Sequence, residues 1–187
     1  MGGITPSQTV GPFFDFGLEI EGGEIVASPA ADGLHIVVQG SLRDGAGDPV
    51  PDGIIEVWQA NAAGRFRHPA DDRRIPLDEG CDGFGRVATS SEGGFTIHTI
   101  MPGRVPGTEQ GQWQAPHLLI SVLARGLLTR LVTRMYFADE PANEEDLVLA
   151  LVPPDRRGTL IARRIDPATF AFDIVLQGPG ETVFFDV

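Results

Sequence analysis

Turn-forming residues cut this sequence into short pieces, and that limits what it can build. The 24 glycines and 15 prolines are scattered through 187 residues without a repeating period, well above their combined average of about 12%. Long helices do not tolerate such interruption, whereas strands of roughly 3–10 residues fit between the breaks. The β-branched run Leu34–Arg43 lies between the turn signals Asp32-Gly33 and Asp44-Gly45, and it predicts a strand. Gly53–Ala60 follows the turn Pro51-Asp52-Gly53 and sets Ile55, Val57 and Gln59 on one face against Ile54, Glu56 and Trp58 on the other. The short connection between these two strands suggests a hairpin. Further strands are expected at Gly94–Ile100, His117–Ala124, Leu128–Phe137 (with the run beginning at Leu127), Thr159–Ile165 and Thr169–Gln177.

Residues 1–32 read as an extended arm carrying Phe13, Phe14 and Phe16, and Asn61–Glu92 as a long loop excursion with little room for regular structure. The acidic stretch Glu140–Asp146 before Leu147–Leu151 suggests one short helix with Asn143 as its cap. About seven short strands without alternating helices imply an all-β fold. The expectation is a single antiparallel β-sandwich domain over residues 1–187, with an N-terminal arm and long loops.

Charge narrows the function. With 14 basic and 26 acidic residues the chain carries a formal charge of −12, which speaks against nucleic acid as a partner. Every basic residue is arginine, which removes lysine Schiff-base chemistry and the phosphate-binding lysines of kinases and P-loop enzymes. No run of roughly 20 apolar residues is present to span a membrane, and the first residues have neither a basic nor an apolar leader segment. A cytoplasmic protein with no membrane partner is the expectation. Cys81 is the single cysteine; it reads as a lone loop thiol, without an internal disulfide or a multi-cysteine zinc site.

The chemistry-bearing candidates are few. GxGxxG, GxSxG, HExxH and CxxC are all absent. His35 and His98 sit within expected strands as structural histidines, and no pair of histidines has metal-ligand spacing. His117 opens an apolar strand just after a loop containing Pro116, a place suited to a ligand or catalytic group. Arg125, Arg130 and Arg134 fall within ten residues and suggest either an anion contact or a set of surface ion pairs. Tyr136 reads as an amphipathic strand residue, and Asp71, Asp72, Asp78 and Glu79 as solvated loop carboxylates.

Taken in order, several longer motifs resemble the intradiol ring-cleaving dioxygenases over nearly the whole chain. They are Thr5–Phe13 (TPSQTVGPF), Glu56–Asn61 (EVWQAN), Gly64–His68 (GRFRH), Gly83–Arg86 (GFGR), Met101–Gly103 (MPG), Ala115–His117 (APH), Leu123–Gly126 (LARG), Thr133–Phe137 (TRMYF) and Gly180–Asp186 (GETVFFD). The resemblance implies a non-haem ferric ion held by two tyrosinates and two histidines, hard donors that favour the ferric state. At the positions matching those ligands this sequence has Phe66, Val105, His117 and Leu119, and at a neighbouring arginine position it has Gln114. Only one of the four carries a donor atom.

That departure resembles the metal-free alpha chain of those family members that pair it with an iron-bearing beta chain. The implied role is structural. This chain is expected to bind no metal and to supply no catalytic residue, and to pack with beta into protomers of a larger symmetric oligomer. Thr9, Gly11, Pro12 and Phe13 of the arm, together with Arg125, are expected to line the partner's substrate pocket. The implied reaction is cleavage of protocatechuate (3,4-dihydroxybenzoate) by O2 to 3-carboxy-cis,cis-muconate. The alternative from another class is a free-standing β-sandwich binding module like the transthyretin-like or carboxypeptidase-associated domains. An independent enzyme using another metal would need a His/Asp/Glu cluster that the spacing does not reveal.

Overall fold

The computed structural model describes residues 8–11, 14–109 and 111–186. A short helix α1 (Phe14–Leu18) precedes β1 (His35–Arg43), β2 (Ile54–Trp58), β3 (Phe84–Ala88), β4 (Gly94–Ile100), β5 (Val105–Pro106), β6 (Trp113–Gln114), β7 (His117–Leu123) and β8 (Leu131–Phe137). A 3-10 turn at Pro141–Glu145, helix α2 (Leu147–Leu151) and a second 3-10 turn at Arg157–Leu160 lead into β9 (Ile161–Asp166), β10 (Thr169–Ala171) and β11 (Ile174–Val175).

One sheet runs in the order β11-β1-β10-β9-β8-β7-β2-β3, and β4 pairs with β1; β5 and β6 form a separate small ribbon. The sheet folds over on itself. Its inner faces meet in one apolar cluster that sets Ile36, Val38, Phe95 and Ile97 of β1 and β4 against Ile55, Val57, Leu118, Ile120, Met135 and Phe137 of β2, β7 and β8. This is the expected β-sandwich, and the two faces read from the alternation of β2 hold: Ile55 and Val57 are buried inward, and Gln59 is buried where Thr99 Oγ1 donates to its Oε1 at 2.6 Å. The pairings are antiparallel except β1–β10, β1–β11 and β8–β9, which are parallel, so the sheet is mixed where a purely antiparallel one was expected.

Four local expectations are corrected. The strands β1 and β2 do not form a hairpin. After β1 the chain closes a tight loop in which Asp44 Oδ1 accepts from the backbone N–H groups of Ala46 and Asp48 (both 2.9 Å), and Val50 N donates back to Leu42 O (3.0 Å). The chain then crosses at Pro51 to the other layer, where β3 and β7 occupy both edges of β2.

The expected loop 61–92 contains β3, whose Arg86 donates through Nε to Glu56 Oε1 on β2 at 2.8 Å. The acidic stretch forms two successive turns rather than one helix. Glu140 caps the first, and Asp146, fully buried, caps α2 by accepting from Leu149 N at 2.8 Å; Asn143 is not the cap. Part of the expected arm is integral to the body: 14–18 are helical, and Val26, Ala27 and Ala31 are buried, with bridges Ile25↔His98 and Ala27↔Cys81.

Candidate functional site

The strand register sets a row of side chains on the outer face of one layer. Trp58 of β2 lies opposite Leu119 of β7, which lies opposite Arg134 of β8; one step along, His117 faces Tyr136. Even-numbered β7 residues Leu118, Ile120 and Val122 point into the core, so the odd-numbered His117 and Leu119 face outward, by the period of two that governs a strand.

Two loops close over this row, and their approach depends on absent side chains. Gly64, at φ 78°, lies against the carbonyl oxygen of Arg104, and Gly103 lies against Ala62 O and Gly64 N; a Cβ at either position would overlap backbone atoms. Buried Asn61 fixes the first loop, its Oδ1 accepting from Ala63 N (3.1 Å) and Arg65 N (2.9 Å), while Gly103 N donates to Asn61 O (2.9 Å). Phe66 and Val105 are thereby brought to the same place. Phe66 stacks on Trp58 at 5.9 Å with the planes 2° apart, and Val105 pairs with Gln114 across the β5–β6 ribbon. The result is a cavity of about 690 Å³ that gathers Phe66, Val105, Gln114, His117 and Leu119 with Trp58, Arg73 and Arg134.

A polar chain runs behind its wall. Buried Asp146 accepts from Ala115 N (2.7 Å) and from the Tyr136 hydroxyl (3.0 Å) in addition to capping α2. Burial holds that hydroxyl protonated, its pKa raised above the ordinary phenol value. Arg134 Nη1 donates to Gln114 Oε1 (2.6 Å) and, more weakly, to Tyr136 Oη (3.4 Å). The His117 Nδ1 lies 2.7 Å from Ala115 O; a carbonyl only accepts, so Nδ1 carries the proton and Nε2 is left as an acceptor. Burial first, and the Arg134 charge second, pull the His117 pKa down to about 4, so the ring is neutral at pH 7. At the cavity edge the hydrogen bond from Arg73 holds Asp71 at about 2.

The sequence-derived candidates separate into two groups. All five positions matched to the metal site and its neighbour line this one cavity. Thr9 and Arg125 lie at the far end of β7, where Gly126 N donates to Thr9 Oγ1 at 2.8 Å and Arg125 pairs with Asp52. Gly11 is exposed beside them in sequence, and Pro12 and Phe13 lie outside the described residues.

Of the three neighbouring arginines only Arg134 reaches the cavity; Arg130 lines a shallow pocket against Gln8 and Val10. Asp71 is not a solvated loop carboxylate but is ion-paired with Arg73 at 2.5 Å. Cys81 is buried, with its thiol pKa raised by burial to about 11, which makes it an inert packing residue. Asp146 and Arg73 were missed as site residues. An isolated acid after two glutamates looks like a solvated charge, and only its three donors reveal its role.

By the resemblance given above, a ferric ion's ligands would stand at the positions of Phe66, Val105, His117 and Leu119, and such an ion needs nitrogen and anionic oxygen donors. Phenyl, isopropyl and isobutyl groups at Phe66, Val105 and Leu119 do not fit that ion, and His117 alone supplies one donor. Among the described residues no group of three or more His, Cys, Asp or Glu converges on a point.

The family model described as Dioxygenase matches residues 10–178. The chain is 43% identical to the protocatechuate 3,4-dioxygenase alpha chain of Burkholderia cepacia, over 98% of this chain and 97% of the relative, and 44% identical to that of Pseudomonas putida, over 97% and 96%. The beta chain from Burkholderia cepacia is 39% identical over 80% of this chain and 67% of its own length. An intradiol ring-cleavage dioxygenase from Tetranychus urticae superposes with TM-score 0.64 over 83% of this chain and 88% of that one, at 17% identity, a likeness of fold alone. The chain belongs to the intradiol ring-cleaving dioxygenases, an iron-dependent family of enzymes. No helix among the described residues is long and apolar enough to cross a membrane.

Proposed function

We propose that this chain is the alpha subunit of a protocatechuate 3,4-dioxygenase and that an iron-bearing beta chain supplies the ferric ion. One observation supports the division of labour: of the four cavity side chains that the family resemblance matches to metal ligands, Phe66, Val105 and Leu119 have no donor atom. The likeness to both an alpha and a beta chain supports a two-chain assembly. Held by the partner, a ferric ion would supply the Lewis acidity that activation of a catechol needs. This chain's share is architectural.

Thr9, Gly11, Pro12 and Phe13 of the arm narrow the mouth of the partner's pocket, and Arg125 offers positive charge to an anionic substrate or organises the contact. His117 and Arg125 stand at opposite ends of β7, whose six steps from His117 to Leu123 span about 20 Å at 3.3 Å per residue. Thr9 and Arg125 thus lie away from this chain's own cavity, which supports a role toward a neighbouring chain. The family relationship favours this reading over a free-standing binding module.

The test is expression of the chain together with a beta chain from the same source, followed by metal analysis and protocatechuate-dependent oxygen uptake. One iron per pair and activity only in the complex are expected. An active complex whose activity survives removal of this chain overturns the proposal.

A further inference from the structure

The cavity has lost its metal donors but not its means of holding a ligand. Its volume of about 690 Å³ lies within the range of small-molecule sites, about 300–1,000 Å³. Part of its lining is aromatic, from the parallel rings of Trp58 and Phe66. Two guanidinium groups border it. Arg134 is half-buried and donates to neutral groups, Gln114 Oε1 and the Tyr136 hydroxyl. Arg73 gives Nε and Nη2 to Asp71 and Gly64, but its Nη1 is buried without a partner.

Arg73 is committed to Asp71 and Gly64 and its remaining Nη1 is buried, whereas Arg134, a cation beside neutral acceptors, is the group that attracts an anion. Two carboxylates also border the cavity: Asp71 is neutralised by Arg73, and Asp72 is exposed at the rim, where water screens it. His117 is neutral and adds no charge.

We infer that this cavity is a binding site for a planar aromatic carboxylate, with its ring against Trp58 and Phe66 and its carboxylate on Arg134. The inference rests on the reading that the cavity holds no metal, and it adds a non-catalytic ligand site to a chain otherwise assigned a structural role. A benzoate ring fills only part of the volume, so substituted and larger aromatic acids fit as well.

The probe is 3-iodobenzoate, soaked into crystals of the assembled complex and located by iodine anomalous scattering; iron is located separately at its own absorption edge in the same crystals. In solution, calorimetric titration of the complex compares 3-iodobenzoate with the neutral 3-iodobenzamide, in the wild type and in Arg134→Met and Arg73→Met.

The expected result is iodine beside Trp58 and Phe66, with no iron in that cavity. A corresponding class of sites in solution should weaken tenfold or more with the amide and with Arg134→Met. Thermal melting verifies that each variant is folded, and if Arg134→Met is not, Arg73→Met carries the comparison. No iodine in this cavity, affinity equal for acid and amide, or binding at crystal concentration only would overturn the inference. Iron in the cavity would instead overturn the reading it rests on, and the two failures are told apart by absorption edge.

Discussion

The two ends of β7 solve different problems. At its start, His117 sits over a half-closed cavity whose walls are fixed by buried backbone contacts and by a carboxylate with three donors. At its end, beyond Leu123, the turn through Arg125 and Gly126 is exposed; among the described residues Gly126 N donates to Thr9 Oγ1, and Arg125 pairs with Asp52 of the β1–β2 connection. The cavity end is built from interlocked loops whose Phe66, Val105 and Leu119 carry no donor atom, while the far end presents an exposed turn at Arg125 and Gly126. Construction and chemistry are thus separable: a site persists when its loops still interlock, whatever side chains they present.

The largest expected effect comes from restoring the donors. Phe66→Tyr, Val105→Tyr and Leu119→His together surround His117 with the family's donor set, and the triple variant should take up iron and show a visible tyrosinate-to-ferric absorption absent from the wild type. A colourless triple variant would mean that the cavity, and not only its side chains, has diverged.

Next is Asp146→Ala, which removes the helix cap and strands Ala115 N and the Tyr136 hydroxyl. A loss of about 3–5 kcal/mol is expected, read by chemical denaturation. Tyr136→Phe, which deletes only one of those donors, should cost about 1 kcal/mol.

Acid should act at the same end. Because the folded pKa of His117, about 4, lies below its usual 6.5, the unfolded chain binds the proton first as pH falls, and stability contributed by the neutral ring is lost between about pH 6.5 and 4. His117→Gln should flatten the stability profile in that window. In Arg134→Met the second cause of the shift is gone, so the His117 titration followed by NMR should move upward.

The smallest stability effect belongs to the arm end. Arg125 is about half exposed, with its side chain at 54%, and such a pair contributes about 0–1 kcal/mol. Arg125→Ala should leave melting nearly unchanged while raising KM for protocatechuate in the assembled enzyme. An unchanged KM would remove its substrate-facing role.

What the sequence made legible follows from range. Alternation and turn signals located most strands, since both are local, and the residue order of β2 is enough to assign both its faces. The β1–β2 hairpin failed because strand partners are chosen by the core. Val50 folds back to Leu42 and leaves Pro51 to cross layers, which no local pattern reveals. Strand β3 was hidden by the glycines around Phe84, although Arg86 could have been paired with Glu56 by charge. The five cavity residues came from motif positions, whereas Asp146 and Arg73 act through partners distant in sequence or in loops and carry no motif of their own.

The central claim is that this chain's cavity holds no iron, and metal analysis of the purified chain from iron-supplemented cells tests it most directly. The account predicts iron at the level of a metal-free control protein, with the donor-restored triple variant as the positive comparison. One tightly held ferric ion per wild-type chain would contradict it.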